Sequence, residues 1–198
     1  MPDDDELYEA IVLADENDQI GYTRHLCELY LRDHPDDVPT LIRYASNLIL
    51  LAQYSAAQAV LDHVQTIVPE KYLQLVLAQR GRLSEARGDF SRAEKWFMQA
   101  HELVPSDATY LIYAGSVSFR SGDLNRAQAY ARRATECPAG CIDEAFFNLG
   151  GYLLSLRQYR EAAECYRKAL EIDPDYEIAK ERLSDVELIL LHEGKGLS

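Results

Sequence analysis

FFNLGGYLLSLRQYREAAECYRKALEIDP, residues 146–174, carries two apolar patterns of helical period joined by a polar break. Phe146, Leu149, Gly150 and Leu153 fall on one face of a first helix, and Ala162, Tyr166 and Ala169 on one face of a second. Pro174 ends the second helix because it has no amide hydrogen and restricts the residue before it. A helical hairpin of this size cannot bury its own apolar face and must stack on something like itself.

Outward from this stretch the pattern recurs. Pro35, Pro69, Pro105, Pro138 and Pro174 stand at intervals of 34, 36, 33 and 36 residues, each after an apolar helix-like run. That period predicts a stack of hairpins, one per repeat. Residues 74–107 repeat it with Leu77, Gly81 and Ser84, then Ala93, Phe97 and Ala100; residues 108–141 with Leu111, Ala114, Gly115 and Ser118, then Ala127, Ala131 and Ala134. A weaker copy at 38–71 has Leu41, Tyr44, Ala45 and Leu48, then Ala57, Leu61 and Val64. The first, at 4–37, keeps only Leu7, Ala10, Ala14, Cys27 and Pro35. Gly81, Gly115 and Gly150 lie mid-helix, where glycine costs about 0.5–1 kcal/mol relative to alanine, so close approach of a neighbouring helix is expected at each. Ala93, Ala127 and Ala162 play the same part on the second helix. Gly88-Asp89 and Gly122-Asp123 read as a helix stop followed by the start of the next helix.

These residues resemble the tetratricopeptide repeat (TPR), whose pattern runs aromatic, Leu-Gly, Tyr, then Ala, aromatic, Ala and Pro; residues 146–174 fit it nearly throughout. The resemblance covers about residues 4–176, strongly in the last three repeats and weakly in the first. It implies an all-α fold, a right-handed α-solenoid of about five TPR-like helix-turn-helix repeats plus a C-terminal capping helix. The expected organisation is one domain over 1–198, with repeats at about 4–37, 38–71, 74–107, 108–141 and 143–176 and the capping helix at about 177–193. In that last helix Ala179, Leu183, Val186 and Leu190 form a stripe, and Leu188, Ile189 and Leu191 make it more apolar than a cap requires. Those three are candidates for self-association.

Composition narrows the function classes. The chain has 198 residues, 47% hydrophobic and 27% charged, with a net charge of −13. Residues 1–40 hold 12 acidic and 2 basic side chains, so the acidity belongs mainly to the first repeat. Nucleic acid is not expected as a ligand, because its phosphates would be repelled and no basic stripe with interleaved aromatics is present. No phosphate loop, GxGxxG or GxSxG motif is found, and no cofactor is expected. Cys27 and Cys165 fall at helix-packing positions, while Cys137 and Cys141, in CPAGC, form a lone C-x3-C without the second pair that a zinc site needs. His25, His34, His63, His101 and His192 are scattered and expected at the surface or on helix flanks. No stretch of about 18 apolar residues is available for direct membrane insertion, and the expected location is cytoplasmic.

The resemblance also says where a partner would lie. First helices line the inner, concave face in this family, and the residues off the packing stripe there are Tyr8, Val12, Ile42, Arg43, Ser46, Gln79, Arg82, Ile112, Tyr113, Ser116, Phe147, Asn148 and Gly151. Arg43, Arg82, Tyr113 and Asn148 suit a peptide backbone or acidic side chain; Ile42, Ile112 and Phe147 suit apolar ones. One subclass grips the C-terminal carboxylate of chaperone peptides with lysine, asparagine and arginine. The corresponding places here offer Tyr8, Val12, Arg43, Leu75 and Gln79, or one repeat later Ile42, Ser46, Gln79, Thr109 and Tyr113, and neither set contains a lysine. The expected function is a non-enzymatic adaptor that binds a protein or peptide in this groove, the alternative a structural subunit or homodimer assembling through its edges and C-terminal helix.

Overall fold

In the computed structural model, which describes residues 4–195, eleven α-helices carry the fold. In chain order they are α1 (Asp4–Glu16), α2 (Ile20–Tyr30), α3 (Val38–Leu50), α4 (Tyr54–Ile67), α5 (Leu73–Ala86), α6 (Phe90–Leu103), α7 (Thr109–Arg120), α8 (Leu124–Thr135), α9 (Ile142–Ser155), α10 (Tyr159–Ile172) and α11 (Glu177–Lys195). A short 3-10 turn, Glu70–Tyr72, precedes α5. This is an all-α helical-repeat fold.

The five turns that join a first helix to its second are built alike. Asp18, Ala52, Gly88, Gly122 and Arg157 all sit in the left-handed region, with φ of 53, 58, 79, 87 and 60°. The next residue in each case, Gln19, Gln53, Asp89, Asp123 or Gln158, donates its amide to the carbonyl five residues back at 2.8–2.9 Å. That is the Schellman closure, which satisfies carbonyls orphaned at the end of the first helix. Two turns use the expected Gly-Asp pair, with Asp89 and Asp123 accepting from the amides of Arg92 and Arg126 at 3.0 Å. The other three reach the same backbone geometry without glycine.

The chain divides into two compact units, residues 1–100 and 101–198. In the first, Ile11, Ala14, Leu26 and Cys27 bury the α1–α2 hairpin, and Leu41, Ala45, Leu48, Leu61, Val64, Val76 and Leu83 form a continuous core over α3, α4 and α5. In the second, Leu149, Tyr152, Leu153, Ala162 and Tyr166 pack with Ala127 and Ala131 of α8 and with Val186 of α11. Helix α11 lies against α10 and contributes Ala179 and Val186 as fully buried side chains.

The repeat glycines are not equivalent. A Cβ on Gly81 would stand 2.5 Å from the Phe97 ring, and one on Gly150 would stand 2.7 Å from the Tyr166 ring. At Gly115 the nearest atoms lie at 3.5–3.6 Å, ordinary van der Waals contact. The neighbouring helix does come close at Gly115, with the Ala127 carbonyl oxygen and Tyr130 Cβ of α8 among those atoms, but a Cβ would be tolerated because the facing residue of α8 is Ala131 rather than an aromatic. His101 departs from expectation. It is buried in the last turn of α6, and loss of solvent, with the nearby charge of Arg133, pushes its pKa down.

Candidate functional site

Each unit presents a face built from its first helices, and the candidate partner-binding residues divide between them. In the first unit, Tyr8 and Val12 of α1 are half-buried, and the Tyr8 ring lies 5.7 Å from that of Tyr30. Ile42 of α3 is buried within the core, so it packs the stack instead of facing a ligand. Arg43 donates to Asp15 Oδ2 of α1 at 3.0 Å, and Asn47 reaches the other oxygen of that carboxylate at 3.4 Å. Gln79 and Arg82 of α5 are half-buried, and Arg82 donates to the Ser46 hydroxyl of α3 at 3.4 Å. Asp15 thus laces α1 to α3, and Arg82 laces α3 to α5. The two arginines differ in kind: Arg43 is matched by a carboxylate, whereas Arg82 meets only a neutral hydroxyl at long range.

In the second unit, Ile112 is buried like Ile42 and belongs to the packing for the same reason. Tyr113 is half-buried, with its ring 6.5 Å from that of Tyr110. Phe147 packs 5.7 Å from the Tyr166 ring and 5.0 Å from the Tyr176 ring, which makes it a wedge between α9, α10 and the approach to α11. Ser116, Asn148 and Gly151 are half-buried on the same pair of first helices. On α11, Leu188 and Leu191 are 54% and 53% exposed, whereas Ile189 is half-buried.

The CPAGC loop is tied to the loop before it by backbone hydrogen bonds. Ala139 exchanges backbone hydrogen bonds with Ser106 and Ala108, at 3.1 and 3.0 Å, which pairs this loop with the one before α7. Gly140 has φ +92°, and a Cβ there would fall 2.5 Å from Asp107 Oδ1. All four cysteines are free. Burial, reinforced by neighbouring carboxylates, pushes the Cys137 and Cys141 thiols up; burial alone is the main cause that takes Cys27 to about 12 and Cys165 to about 11. None is a poised thiolate. Among the described residues no cluster of three metal-binding side chains occurs, and no helix is long and apolar enough to cross a membrane.

One surface was not anticipated as a candidate. Helices α4, α5 and α6 bring Arg80, Arg87, Arg92 and Lys95 around Trp96, the chain's one tryptophan. Arg80 is held by Asp62 at 2.9 Å and by the Leu61 carbonyl at 3.1 Å, with its guanidinium carbon 5.6 Å from the indole centroid. The Arg80 hydrogen bond draws the Asp62 carboxyl below its usual range. Trp96 and Arg92 line both a small hollow of about 30 Å³ and an open one of about 410 Å³. The sequence signal for this surface was local: Arg80, Arg87, Arg92 and Lys95 lie in the stretch immediately before the tryptophan of an acidic chain.

Comparison with known proteins agrees with the architecture. The tetratricopeptide repeat family model matches residues 143–176. Tetratricopeptide repeat protein 7A of Homo sapiens is 32% identical over 98 residues, covering 50% of this chain and 11% of that protein. Small glutamine-rich tetratricopeptide repeat-containing protein 2 of Mycosarcoma maydis is 28% identical over 108 residues, covering 54% of this chain and 30% of that protein. The chain therefore spans less than a third of the length of these relatives. Among solved structures, a thermophilic TPR protein of Thermus thermophilus superposes with a TM-score of 0.77 at 19% identity, covering 94% of this chain and 100% of that one. The first TPR domain of Spaghetti, bound to the HSP90 peptide SRMEEVD, superposes with a TM-score of 0.56 at 20% identity, covering 60% of this chain and 96% of that one. At such identities the likeness is one of fold.

Proposed function

The chain is a tetratricopeptide-repeat protein, and we propose that it acts as a non-enzymatic adaptor whose first-helix faces bind an extended peptide or a helix of a protein partner. The observation that carries this reading is the state of Arg82. Its guanidinium is positioned by α3 and α5, yet among the described residues its one hydrogen bond is to the Ser46 hydroxyl, at 3.4 Å, so it keeps hydrogen-bonding capacity and charge for an incoming carbonyl or carboxylate. Arg43 is a poorer candidate because Asp15 already takes its charge. Tyr113, Ser116 and Asn148 would serve the corresponding face of the second unit, with Tyr8, Val12, Gln79 and Gly151 at its margins. A carboxylate clamp of the chaperone-binding subclass does not fit this chain, since neither register of first helices supplies its lysines. Four free cysteines suit a reducing compartment, which supports a cytoplasmic location.

Affinity capture with wild type and a folded Arg82→Glu variant tests the reading. A partner held by the wild type should be lost from the variant, with affinity reduced at least about tenfold as expected for a buried-edge charge reversal. Identical capture by both forms would remove the first-unit face from consideration. The exposed Leu188 and Leu191 favour a second reading, in which α11 mediates self-association. Light scattering would then give a dimer that Leu188→Glu/Leu191→Glu converts to monomer.

A further inference from the structure

The basic surface around Trp96 lies on α4, α5 and α6, among residues distinct from the first-helix candidates, and its charges do not cancel internally. Arg80 is neutralised by Asp62. Arg87 donates only to neutral acceptors, the Tyr54 carbonyl at 3.0 Å and Gln58 Oε1 at 3.3 Å. Arg92 and Lys95 are exposed, and among the described residues no close ion pair holds either side chain, although the Arg92 charge helps to draw down the Asp62 carboxyl. Asp89 lines both hollows, and its Oδ1 accepts from the Arg92 amide at 3.0 Å, so its carboxylate offsets one of these cations. Arg87, Arg92 and Lys95 thus stand against the one carboxylate of Asp89, a net positive surface in a chain of net charge −13. Beside them stands an indole whose ring is steadied by the Arg80 guanidinium and which walls two adjoining hollows.

We propose that this surface is a docking site for a short acidic peptide segment of a partner protein, whose carboxylates meet Arg87, Arg92 and Lys95 while one apolar side chain lies against Trp96. Charge complementarity selects the occupant, and the Debye length of about 8 Å at physiological salt limits its extent. Over that distance Arg87, Arg92 and Lys95 outnumber Asp89, with Arg80 and Asp62 paired; further away a long polyanion would meet the acidic remainder of the chain. A few carboxylates in a short segment gain from the first field without suffering the second. The indole supplies the large rigid surface on which an aromatic or aliphatic anchor is buried.

Trp96 is its own reporter, because its emission comes from the only indole in the chain. The intact chain is titrated with a tryptophan-free peptide of aspartate and glutamate bearing one phenylalanine. Controls are the same peptide with lysine in place of the acids and a single-stranded oligonucleotide. A saturable change in emission is expected with the acidic peptide alone, weakening several-fold as salt is raised and at least about tenfold in Arg92→Glu/Lys95→Glu. Both residues are exposed, so circular dichroism of that variant should match the wild type. No saturable change with the acidic peptide, or a change that the double reversal leaves intact, would overturn the proposal. Tighter binding of the oligonucleotide would overturn it in favour of nucleic acid. An emission change that follows protein concentration alone and vanishes in the double reversal would overturn it in favour of a second copy of this chain.

Discussion

In the α9–α10 hairpin Gly150 lies under the Tyr166 ring, with no room for a Cβ, while in α7–α8 Gly115 occupies the same place in the repeat and has ordinary clearance. Both glycines stand seven residues before the left-handed turn residue, and the facing positions, Tyr166 and Ala131, both stand nine residues after it. The difference lies across the hairpin. Where the second helix offers an aromatic, the first must offer glycine, and the ring then fills the space that the missing side chain leaves. Where the second helix offers Ala131, other atoms fill the space: the Ala127 carbonyl oxygen and Tyr130 Cβ of α8 and the Tyr152 ring edge from α9 lie 3.5–3.6 Å from where a Gly115 Cβ would be. Phe119 stacks on Tyr152 at 5.1 Å between ring centroids and steadies it. A repeat position is therefore constrained as a pair, not as a residue.

The largest effect that can break this comparison is Gly150→Ala. Its methyl would overlap a buried ring that is 1% exposed, and overpacking of this kind costs about 1–3 kcal/mol. Because repeat proteins lose structure locally, hydrogen exchange of the α9 and α10 amides should accelerate before that of the remaining helices. Combining Gly150→Ala with Tyr166→Leu should cost less than the sum of the two single changes, since the smaller side chain gives the methyl room. Strict additivity would mean that the glycine and the ring are not coupled. The same change at Gly115 should go the other way: with no clash, alanine recovers helix propensity of about 0.8–1 kcal/mol, seen as a higher denaturation midpoint at unchanged slope. A loss at Gly115 similar to that at Gly150 would erase the distinction between the two hairpins.

The pairing also explains how much could be read beforehand. The last three repeats were legible because their glycine or aromatic stands where the family pattern expects it. In the first repeat the same two places hold Ile11 and Cys27, both fully buried, and in the second Ala45 and Leu61. In the first repeat large and small have changed sides, and in the second alanine and leucine stand for glycine and aromatic, so each residue looks wrong although the pair still fills its space. The turns carried a similar blind spot. Gly88 and Gly122 announced theirs, but Asp18, Ala52 and Arg157 adopt the same left-handed backbone with no sequence sign of it. The candidate site was harder still. Arg43 and Arg82 are indistinguishable in sequence, and only the fold brings Asp15, 28 residues away, to the first and leaves the second with a hydroxyl. Ile42 and Ile112 were read as outward-facing because helix periodicity does not reveal that an adjacent first helix will cover the flank of the stripe.

The smallest effect sharpens the comparison at the turns that close the two hairpins. Gly122 ends α7 with φ +87°, where glycine is unstrained, and Asp123 then caps α8 through the Arg126 amide. Arg157 ends α9 with φ +60°, where its Cβ crowds the following carbonyl, and Gln158 makes no side-chain cap. Left-handed backbone costs a non-glycine residue about 1–2 kcal/mol, but glycine also gains freedom in the unfolded chain. Arg157→Gly should therefore stabilise the α9–α10 hairpin by only about 0.5 kcal/mol, the balance of those two terms. The reverse change, Gly122→Arg, should destabilise α7–α8 by a comparable amount. Arg157 also lines a cavity beside Leu190 of α11. If Arg157→Gly proves destabilising, the side chain's packing against the end of the stack outweighs its backbone strain, and the turn without glycine is held in place by α11 instead of tolerated.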